Sequence, residues 1–490
     1  MTESVLLTSG AYSAPSIIAG AQRCVNLYPE VTPGDTHPPV PVTHYPRPGK
    51  TFLGSAQSSG GGINGPGRGL YTDSNNRLYC VVADILYFVD VNFQFFPLGN
   101  LAPSDHIVSF ADNGIAAGNT ILLVDGLPNS GYTFNMTTLA FAPLVDGTGL
   151  FTGADVVKYL QTFFILNTIP NNQNFIISQP NAATFDPLDI ASKSSYPDNL
   201  STLFIRQREL WLMGAQTTEP WFLSGAQDFP FEAIPSTFVA YGVLAKYSPV
   251  FADDSIFWLS QNTQGKAIFV KSNNYSAERI STHAIEAEIQ KYTTPGDCVG
   301  SVYQANGHTF IVFTFQTDDR TWVYDLATKQ WYQSAWTDNN GIIHRDRAML
   351  FTQAYGKTIG LDWETGELYE INPNVYQDNG DDIQCIRGFP TLVAQLDRVS
   401  HWSLTAYMEV GTLSDPNLPG AILNLRVSDD GGKTFPAVYQ TSLGKQGDYL
   451  TTPQFTRLGM ARNRVYELFW TANMKTALNA VYVDVEKAES

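Results

Sequence analysis

The feature that most limits the possible folds of this chain is a hairpin pattern that recurs roughly every 40 to 50 residues. Each hairpin has an apolar strand, a polar turn and a second strand that often contains an aromatic residue. The predicted first strands pass through Leu78, Ile121, Phe163, Leu210, Ile256, Phe310 and Ile359. The predicted returning strands pass through Leu86, Tyr132, Ile176, Phe222, Phe269, Val323 and Tyr369. This spacing is typical of β-propeller blades. It predicts six or seven blades, because one hairpin could belong to an insertion or to ring closure.

The strongest strand signal lies in three runs rich in β-branched and aromatic residues, Gly307–Phe315, Thr321–Leu326 and Gln330–Ser334. Their lengths suit strands rather than helices. Both faces of the first run are apolar, with Phe310 and Val312 on one face and Ile311, Phe313 and Phe315 on the other. The pattern predicts a strand that is buried on both sides, within a meander that forms most of one blade.

One segment, residues 276–292, is predicted to be a helical insertion in this repeat. Its apolar residues Ile280, Ala284, Ile285 and Ile289 recur at helical spacing. Ser281 or Thr282 could cap the helix. Such a helix would either contact a neighbouring subunit or pack beneath a blade.

We predict three domains: an extended N-terminal arm over residues 1–59, a propeller-like domain over 60–377 and a C-terminal antiparallel β-domain over 378–490. Eight prolines occur in residues 1–50. Proline fixes φ and removes a backbone donor, so we expect an extended arm rather than a folded layer. A glycine-rich link follows at Gly60–Gly69, and the polar break Asp378–Asp382 marks the second boundary.

The C-terminal region lacks the repeat, and its strands alternate apolar and polar residues, as in Leu423–Val427. This alternation is typical of half-buried strands. Strands are predicted near Ser403–Val410, Ala421–Ser428, Phe435–Gln440, Arg464–Thr471 and Leu478–Val485. The expected architecture is a sandwich or a barrel.

The charge balance limits the possible partners. The net charge is −17, and charged residues make up 15% of the chain, well below the average of about 25%. An acidic surface repels phosphate, which excludes ordinary nucleic-acid binding by counterion release, although it could let DNA slide past. The 13% aromatic content is consistent with broad subunit interfaces. We expect neither a signal peptide nor a membrane span, since no stretch approaches ~18 apolar residues.

Residues that could carry catalysis are scattered. Asp362, Glu364 and Glu367 are close in sequence, and a glycosidase needs two carboxylates. They lie at a predicted hairpin turn, however, where acidic residues are ordinary. Five isolated histidines are expected to be packed or surface residues: His44, His283, His308, His344 and His401. Ser428–Phe435 fits the pattern Ser-x-Asp-x-Gly-x-Thr-aromatic and resembles the Asp-box hairpin of sialidase propellers, in which it stabilises a turn.

No metal or nucleotide motif occurs in the chain. The four cysteines, Cys24, Cys80, Cys298 and Cys385, are far apart and lack zinc-site spacing, so free or buried thiols are expected. An aromatic group could form either a sugar-binding platform or, as we favour, a propeller core: Trp322, Tyr324, Trp331, Tyr332 and Trp336. No catalytic, cofactor-binding or metal-binding residue is therefore predicted.

Several blocks of the sequence resemble the packaged-DNA stabilisation proteins of short-tailed bacteriophages, also called tail hubs or nozzles. The blocks are Gln22–Glu30, Ile280–Glu286 with Tyr292, Gly307–Phe315, Thr321–Trp331, Arg457–Leu468 and Ala480–Glu486. They follow one another in the same order across almost the whole chain. The resemblance implies a propeller with extra β-domains and no catalytic residues.

The same resemblance implies a function and partners. The protein would be a homohexameric ring below the portal-adaptor (head–tail connector) ring of the virion tail, assembled in the host bacterial cytoplasm. It would retain packaged DNA, hold tailspikes or tail fibres, and conduct genomic DNA through its lumen without sequence-specific binding. Two alternatives stay open: a propeller that binds or hydrolyses host surface glycans, and a cytoplasmic propeller scaffold.

Overall fold

The computed structural model describes residues 3–8, 11–14, 16–17, 20–32, 42–57, 64–261, 267–393, 397–411, 420–445 and 447–487. Strands dominate these residues. They contain one α-helix, α1 (His283–Ile289), and two short 3₁₀ turns at Ile115–Ala117 and Pro295–Asp297. No helix in the described part of the chain is long and apolar enough to cross a membrane.

The N-terminal arm contributes five strands: β1 (Glu3–Leu6), β2 (Cys24–Val25), β3 (Leu27–Val31), β4 (Val42–Pro46) and β5 (Gly49–Gly54). The prolines at 33–41 and the glycines at 60–62 lie outside the described residues. The described parts of the arm are largely strands, and they lie within sheets rather than apart from any folded layer. Its strands also complete sheets of the other two regions, and composition alone does not reveal this.

Four consecutive four-stranded antiparallel units follow the arm. Unit one comprises β6 (Gly67–Thr72), β7 (Leu78–Val82), β8 (Ile85–Val89) and β9 (Phe95–Asn100). Unit two comprises β10 (Ser109–Asp112), β11 (Thr120–Val124), β12 (Tyr132–Asn135) and β13 (Phe141–Pro143). Unit three comprises β14 (Val157–Leu160), β15 (Phe163–Asn167), β16 (Asn174–Ile177) and β17 (Ile190–Ser192). Unit four comprises β18 (Leu200–Arg206), β19 (Glu209–Gly214), β20 (Thr218–Leu223) and β21 (Phe231–Ala233).

Three further units complete the series. Unit five comprises β22 (Gly242–Val243), β23 (Val250–Ala252), β24 (Ser255–Gln261), β25 (Ile268–Asn273) and β26 (Ser276–Arg279). Unit six comprises β27 (Val299–Ala305), β28 (His308–Phe315), β29 (Arg320–Asp325) and β30 (Gln330–Thr337), with β31 (Ile343–Arg345) beside β30. Unit seven comprises β32 (Ala348–Ala354), β33 (Lys357–Asp362), β34 (Leu368–Asn372) and, from the arm, β5.

The seven units form a β-propeller whose ring is closed by the arm. Innermost strands of successive units pack against each other, except that units four and five meet through β19 and β22, and β6 of unit one packs against β32 of unit seven. The outer strand of unit seven is β5, which pairs with β34 in the register Thr51↔Glu370. The predicted hairpins are confirmed, because the predicted first and returning strands are the second and third strands of six units and, in unit five, β24 and β25.

Apolar cores lie between neighbouring units, and the two faces of β28 belong to two different cores. Phe310 and Val312 pack into the core shared with the C-terminal sheets. Ile311, Phe313 and Phe315 pack toward unit five and helix α1. The predicted burial of this strand on both faces is confirmed.

The helix is shorter than the sequence predicts, and the prediction of helix over 276–292 is wrong at both ends. Residues Ser276–Arg279 form strand β26 because β25 offers them backbone partners, a pairing that overrides the helical spacing. Helix α1 begins after Thr282, whose hydroxyl accepts a hydrogen bond from the Ile285 amide at 3.4 Å. Ile285 and Ile289 are buried in the core between units five and six.

The C-terminal region adds β35 (Gln377–Asp378), β36 (Asp381–Asp382), β37 (Gln384–Gly388), β38 (Leu392–Val393), β39 (Val399–Glu409), β40 (Ile422–Ser428), β41 (Ala437–Ser442), β42 (Gln454–Ala461), β43 (Asn463–Thr471) and β44 (Ala477–Lys487). One sheet has the order β3-β4-β44-β39-β42, with β1 on β44. The other contains β37-β43-β40-β41. Side chains from both sheets share one core, as in a sandwich.

All five predicted C-terminal strands are present within a few residues, whereas β37 and β42 were not predicted. The domain boundaries at 59/60 and 377/378 stay predictions, because β-ladders run across both. Strand β5 belongs to the propeller, while β1, β3 and β4 belong to the sandwich.

The closure of unit seven can be tested by replacing Thr51 and Glu370, which face each other across β5 and β34, with cysteine. Directly opposed strand residues have the Cα spacing that a disulfide needs. We expect the oxidised T51C/E370C protein to melt at a higher temperature than its reduced form, because the cross-link closes a very long loop. The T51C protein alone is the control. Failure to form the bond under mild oxidation would contradict the pairing.

Candidate functional site: the arm junction

The most unusual feature of the fold is a two-residue strand that joins the propeller to the sandwich. On one side, Val25 of β2 pairs in parallel with Gln333 of β30. On the other side, Cys24 and Val25 pair with Arg387 and Ile386 of β37. Strand β2 thereby links unit six and the second sandwich sheet into one eleven-stranded sheet, ordered β27-β28-β29-β30-β2-β37-β43-β40-β41, with β31 beside β30 and β38 beside β43.

Asn26, directly after β2, stabilises this joint between propeller and sandwich through hydrogen bonds of its backbone and its side chain. Its Nδ2 donates to the Gln384 carbonyl at 2.8 Å. Its Oδ1 accepts from Arg47 Nε at 2.9 Å and from the Ala335 amide at 2.8 Å. The residue is 1% exposed, and its φ of 56° lies in the left-handed region, where asparagine is better tolerated than most residues.

Arg47, which bonds to Asn26, belongs to a buried cluster of four charged side chains. It donates to Asp378 Oδ1 at 2.9 Å and Oδ2 at 2.5 Å. Lys50 Nζ lies 2.8 Å from Asp346 Oδ1 and 3.1 Å from Asp378 Oδ1. Two cations and two carboxylates therefore neutralise one another where the arm meets unit seven and the start of the C-terminal region.

Two members of the cluster, Arg47 and Asp346, are held ionised despite burial. Burial alone lowers the pKa of Arg47, but the carboxylates of Asp378 and Asp346 outweigh it and raise this pKa above the usual value. Burial alone raises the pKa of Asp346, but Lys50 and Arg47 outweigh it and hold this pKa well below its usual range. Arg47 and Asp346 are therefore charged at neutral pH.

A cavity of about 380 Å³, here called the arm groove, opens beside the joint. It lies between the arm at Ala11 and Arg23, helix α1 at Ala284, and strands β29 and β30 at Trp322 and Trp331. The indole Nε1 of Trp322 donates to the Tyr292 hydroxyl at 3.0 Å, and that of Trp331 donates to the Ile280 carbonyl at 3.0 Å. The blocks Gln22–Glu30, Ile280–Tyr292 and Thr321–Trp331 therefore meet at one place.

A second cavity, of about 230 Å³, lies at the propeller axis. Its lining comes from innermost strands around the ring, including Leu70, Phe110, Lys158, Phe204, Val299 and Leu350. Burial lowers the pKa of Lys158 to about 8. This volume is below the roughly 300 to 1,000 Å³ of pockets that hold drug-sized ligands, so the axis of one propeller cannot pass a DNA duplex.

The carboxylates considered as glycosidase residues stabilise a turn. Asp362 is fully buried and accepts from the amides of Glu364 and Thr365 and from the Tyr369 hydroxyl. Glu364 pairs with Arg347 at 2.8 Å, and Glu367 accepts from the Tyr369 hydroxyl at 2.7 Å. The structure places these groups in turn contacts and does not bring them together across a cleft.

The Asp-box segment also forms a turn. Asp430 accepts from the Ser428 hydroxyl at 2.7 Å, from the Lys433 and Thr434 amides at 2.9 Å each, and from the Thr434 hydroxyl at 2.7 Å. These hydrogen bonds hold the pKa of Asp430 well below its usual range. The guanidinium of Arg426 lies 4.7 Å from the Phe435 ring.

The five histidines occupy five separate environments. His44 is fully buried, and burial lowers its pKa well below the usual value, as does nearby Arg387. His308 Nδ1 lies 2.9 Å from Asp325, and His344 Nδ1 lies 2.7 Å from Asp319. His401 contacts the Tyr466 hydroxyl at 2.7 Å, and burial, with Arg464, lowers its pKa to about 4. His283 is exposed on α1, 3.3 Å from Arg279.

The aromatic group and the cysteines belong largely to the cores. Tyr324, Trp331 and Tyr332 are buried, while Trp336 is stacked by Arg347 at 4.2 Å. Cys24, Cys80, Cys298 and Cys385 are all buried free thiols. In the described part of the chain, no group of three or more histidine, cysteine or acidic side chains is arranged to hold a metal ion.

The sequence analysis missed the residues that build the joint: Asn26, Arg47, Lys50, Asp346 and Asp378. Asn26 lies inside a block singled out by resemblance, and Arg47 stands between two prolines. The available signal was Arg47 itself, a charged residue in an apolar, proline-rich segment. Its partners, however, lie about 300 residues away along the chain.

Comparison with known proteins adds one family and three distant structures. Residues 47–376 match the family Phage_stabilise, described as "Bacteriophage P22 Gp10, beta-propeller". No curated protein shows significant similarity to the chain.

The extracellular domain of a hybrid two-component system from B. thetaiotaomicron gives a TM-score of 0.44 at 11% identity, covering 80% of this chain and 49% of that structure. The chain thus spans about half the length of that protein. Hydrazine synthase from Kuenenia stuttgartiensis gives 0.42 at 9% identity, covering 63% and 96% of the two chains. The Swd1 propeller domain from Myceliophteria thermophila gives 0.40 at 7% identity, covering 66% and 98%. These values support no inference about function.

Replacement of Asn26 by alanine tests the joint. We expect the free energy of unfolding to fall by about 2 kcal/mol or more, because buried groups on Arg47, Ala335 and Gln384 lose their partner. Asn274→Ala is the matched control, since Asn274 also has a positive φ, of 50°, but is exposed. Urea unfolding followed by tryptophan fluorescence measures both variants. Equal losses of unfolding free energy in the two variants would show that the backbone conformation of Asn26, and not its side-chain hydrogen bonds, is what stabilises the protein.

Replacement of Asp346 by asparagine tests the buried charges. Breaking a buried ion cluster costs about 3–5 kcal/mol, so the variant should unfold at lower urea concentration at pH 7. Because the folded-state pKa of Asp346 is lowered, its contribution is present above the unfolded pKa of about 3.9 and is lost as pH falls further. The difference from the unmodified protein should therefore shrink between pH 5 and pH 3. Asp105→Asn, at an exposed carboxylate, should change little at any pH.

Proposed function

The chain belongs to the phage stabilisation family of β-propeller proteins typified by bacteriophage P22 Gp10, and from this premise we propose that it is the tail hub, or nozzle, of a short-tailed phage. It is a phage structural protein. In the proposed role it forms a homohexameric ring below the portal-adaptor ring, retains the packaged genome and holds tailspikes or fibres. The observation that carries this proposal is the family match over residues 47–376.

The arm junction is consistent with a role that needs a firm connection between domains. A hub that closes a pressurised head and carries appendages needs its domains fixed relative to one another. The continuous sheet through β2 and the buried charges around Arg47 provide such a connection between propeller and sandwich. Several blocks that resemble tail hubs contribute directly to it.

The proposed path of DNA lies between subunits. The cavity at the propeller axis is about 230 Å³, too small for a duplex, so a passage for the genome has to be enclosed by several chains. The net charge of −17 per chain favours passage without adhesion, because acidic groups along such a lumen repel DNA phosphates.

The proposed homohexameric ring is tested by determining the oligomeric state of the purified protein. Light scattering coupled to a sizing column should give six chains of 54.0 kDa each, and negative-stain images should show a ring with a central opening. A stable monomer at micromolar concentration, together with absence of the protein from purified virions by mass spectrometry, would contradict the proposal.

The retention of DNA is tested in a phage that carries a nonsense mutation early in this gene. In a non-suppressing host, filled heads should form and then release their DNA, which becomes sensitive to nuclease. Supplying the protein in trans should restore protection. Heads that keep their DNA without the protein would remove genome retention from the proposed role.

A further inference from the structure

Among the residues that line the arm groove, the cations Arg23, Lys291 and Arg320 outnumber the one carboxylate, Glu288. Arg426 lies outside this lining but, like Arg320, is close enough to Arg23 to lower its pKa. Glu467 is the carboxylate that contacts Arg23 and Arg426. It accepts from Arg426 Nε at 2.8 Å and also from Arg426 Nη2, so it is already engaged.

Arg23 is incompletely neutralised by this carboxylate. Its Nη1 lies 4.0 Å from Glu467 Oε2, the outer limit of an ion pair, and its side chain is 37% exposed. Burial lowers the pKa of Arg23, Glu467 raises it, and the repulsion from Arg426 and Arg320 lowers it again. The charged form of Arg23 is thus destabilised and would be stabilised by an added anion.

Arg320 has no carboxylate within ion-pair distance among the described residues. Its Nη1 donates to two backbone carbonyls, those of Asp319 at 2.8 Å and Ile343 at 3.3 Å. The nearest acidic side chains have other partners: Asp318 accepts from the Thr293 and Thr294 amides, and Asp319 contacts His344. Lys291, at the rim, is paired with Glu288 at 2.6 Å.

Part of the remaining lining is apolar. Trp322, Trp331 and Tyr292 contribute aromatic rings, and Ala284 and Ala287 of α1 contribute methyl groups, beside polar side chains such as Gln22 and Gln333. A volume of about 380 Å³ is enough for one or two large side chains. The groove therefore combines incompletely neutralised guanidinium groups with an apolar surface.

We propose that the arm groove docks a short segment of a partner protein in which a carboxylate side chain stands beside an aromatic or large aliphatic one. The carboxylate pairs with Arg320 and Arg23, and the apolar side chain enters between helix α1 and the two tryptophans. Arginine is well suited to this pairing, because its planar group binds a carboxylate through two hydrogen bonds. The docking chemistry is the same whether or not the protein forms a ring.

A peptide segment fits the groove better than nucleic acid does. A DNA backbone carries a dense row of phosphates, and Glu288, Asp318 and Asp319 near the groove would repel most of them. A single carboxylate meets the arginines without that cost. The apolar wall would also stay unfilled by a phosphate.

The test selects binding peptides from a random heptapeptide library displayed on filamentous phage, using the full-length protein as bait. We expect enriched sequences to contain Asp or Glu next to Trp, Tyr, Phe or Leu. A synthetic copy of the most enriched peptide, and a copy with its acidic residue changed to Asn or Gln, are then titrated calorimetrically against three variants. These are Arg320→Gln, Arg23→Gln and, as a matched control on unit four, Arg206→Gln, which is paired with Asp254 at 3.8 Å.

Removing the carboxylate of the peptide, or replacing Arg320 by glutamine, should weaken peptide binding about tenfold or more, because a partly desolvated charge pair is broken. Arg206→Gln should leave peptide binding unchanged. Circular dichroism and the urea midpoint verify that the variants remain folded. Enrichment without acidic residues, or equal binding by Arg320→Gln and the unmodified protein, would overturn the proposal. So would a result in which Arg320→Gln abolishes binding to a 30-base-pair DNA duplex, or prevents self-association, while peptide binding is unchanged.

Discussion

The pairing of the two-residue strand β2 with β30 on one side and β37 on the other is the interaction on which the rest of the structure depends. Without it, both partner strands would present open edges, and open edges invite pairing with other chains. With it, unit six and the sandwich share one hydrogen-bonded sheet. The side chain of Asn26 then bonds to the Gln384 carbonyl, the Ala335 amide and the Arg47 guanidinium, so these hydrogen bonds form only when arm, propeller and sandwich are all in place.

The buried charges beside β2 likewise fix the position of the arm relative to the propeller and the C-terminal region. Taking Arg47, Lys50, Asp346 and Asp378 out of water is costly, and a hydrophobic cluster of similar volume could be as stable. Charges, however, are satisfied in one arrangement only, because each cation needs its carboxylates at hydrogen-bond distance. We interpret the cluster as a device that fixes where the arm enters unit seven. Its benefit is a defined geometry between domains rather than a large gain in stability.

This geometry bears on the proposed role in the tail. A propeller closed by β5 has at its axis only a cavity of about 230 Å³, too small for a duplex, so in the proposed role it is part of the wall of the passage. The acidic composition suits a wall that faces DNA. The arm groove departs from that composition, because Arg23, Lys291 and Arg320 outnumber the one carboxylate in its lining, Glu288. The chain thus combines a surface that repels polyanions with one local site suited to a carboxylate.

The sequence by itself determined the seven hairpins and the two-faced burial of strands such as His308–Phe315, because alternation and turn residues act over a few neighbouring positions. It also indicated the C-terminal strands for the same reason. Only the tertiary structure decided that Ser276–Arg279 form a strand, since their partners in β25 supply hydrogen bonds that outweigh helical spacing. Likewise, only the tertiary structure decided that β5 closes the ring and that Arg47 meets Asp378. These contacts join residues about 300 positions apart, and no local pattern encodes a partner at that distance.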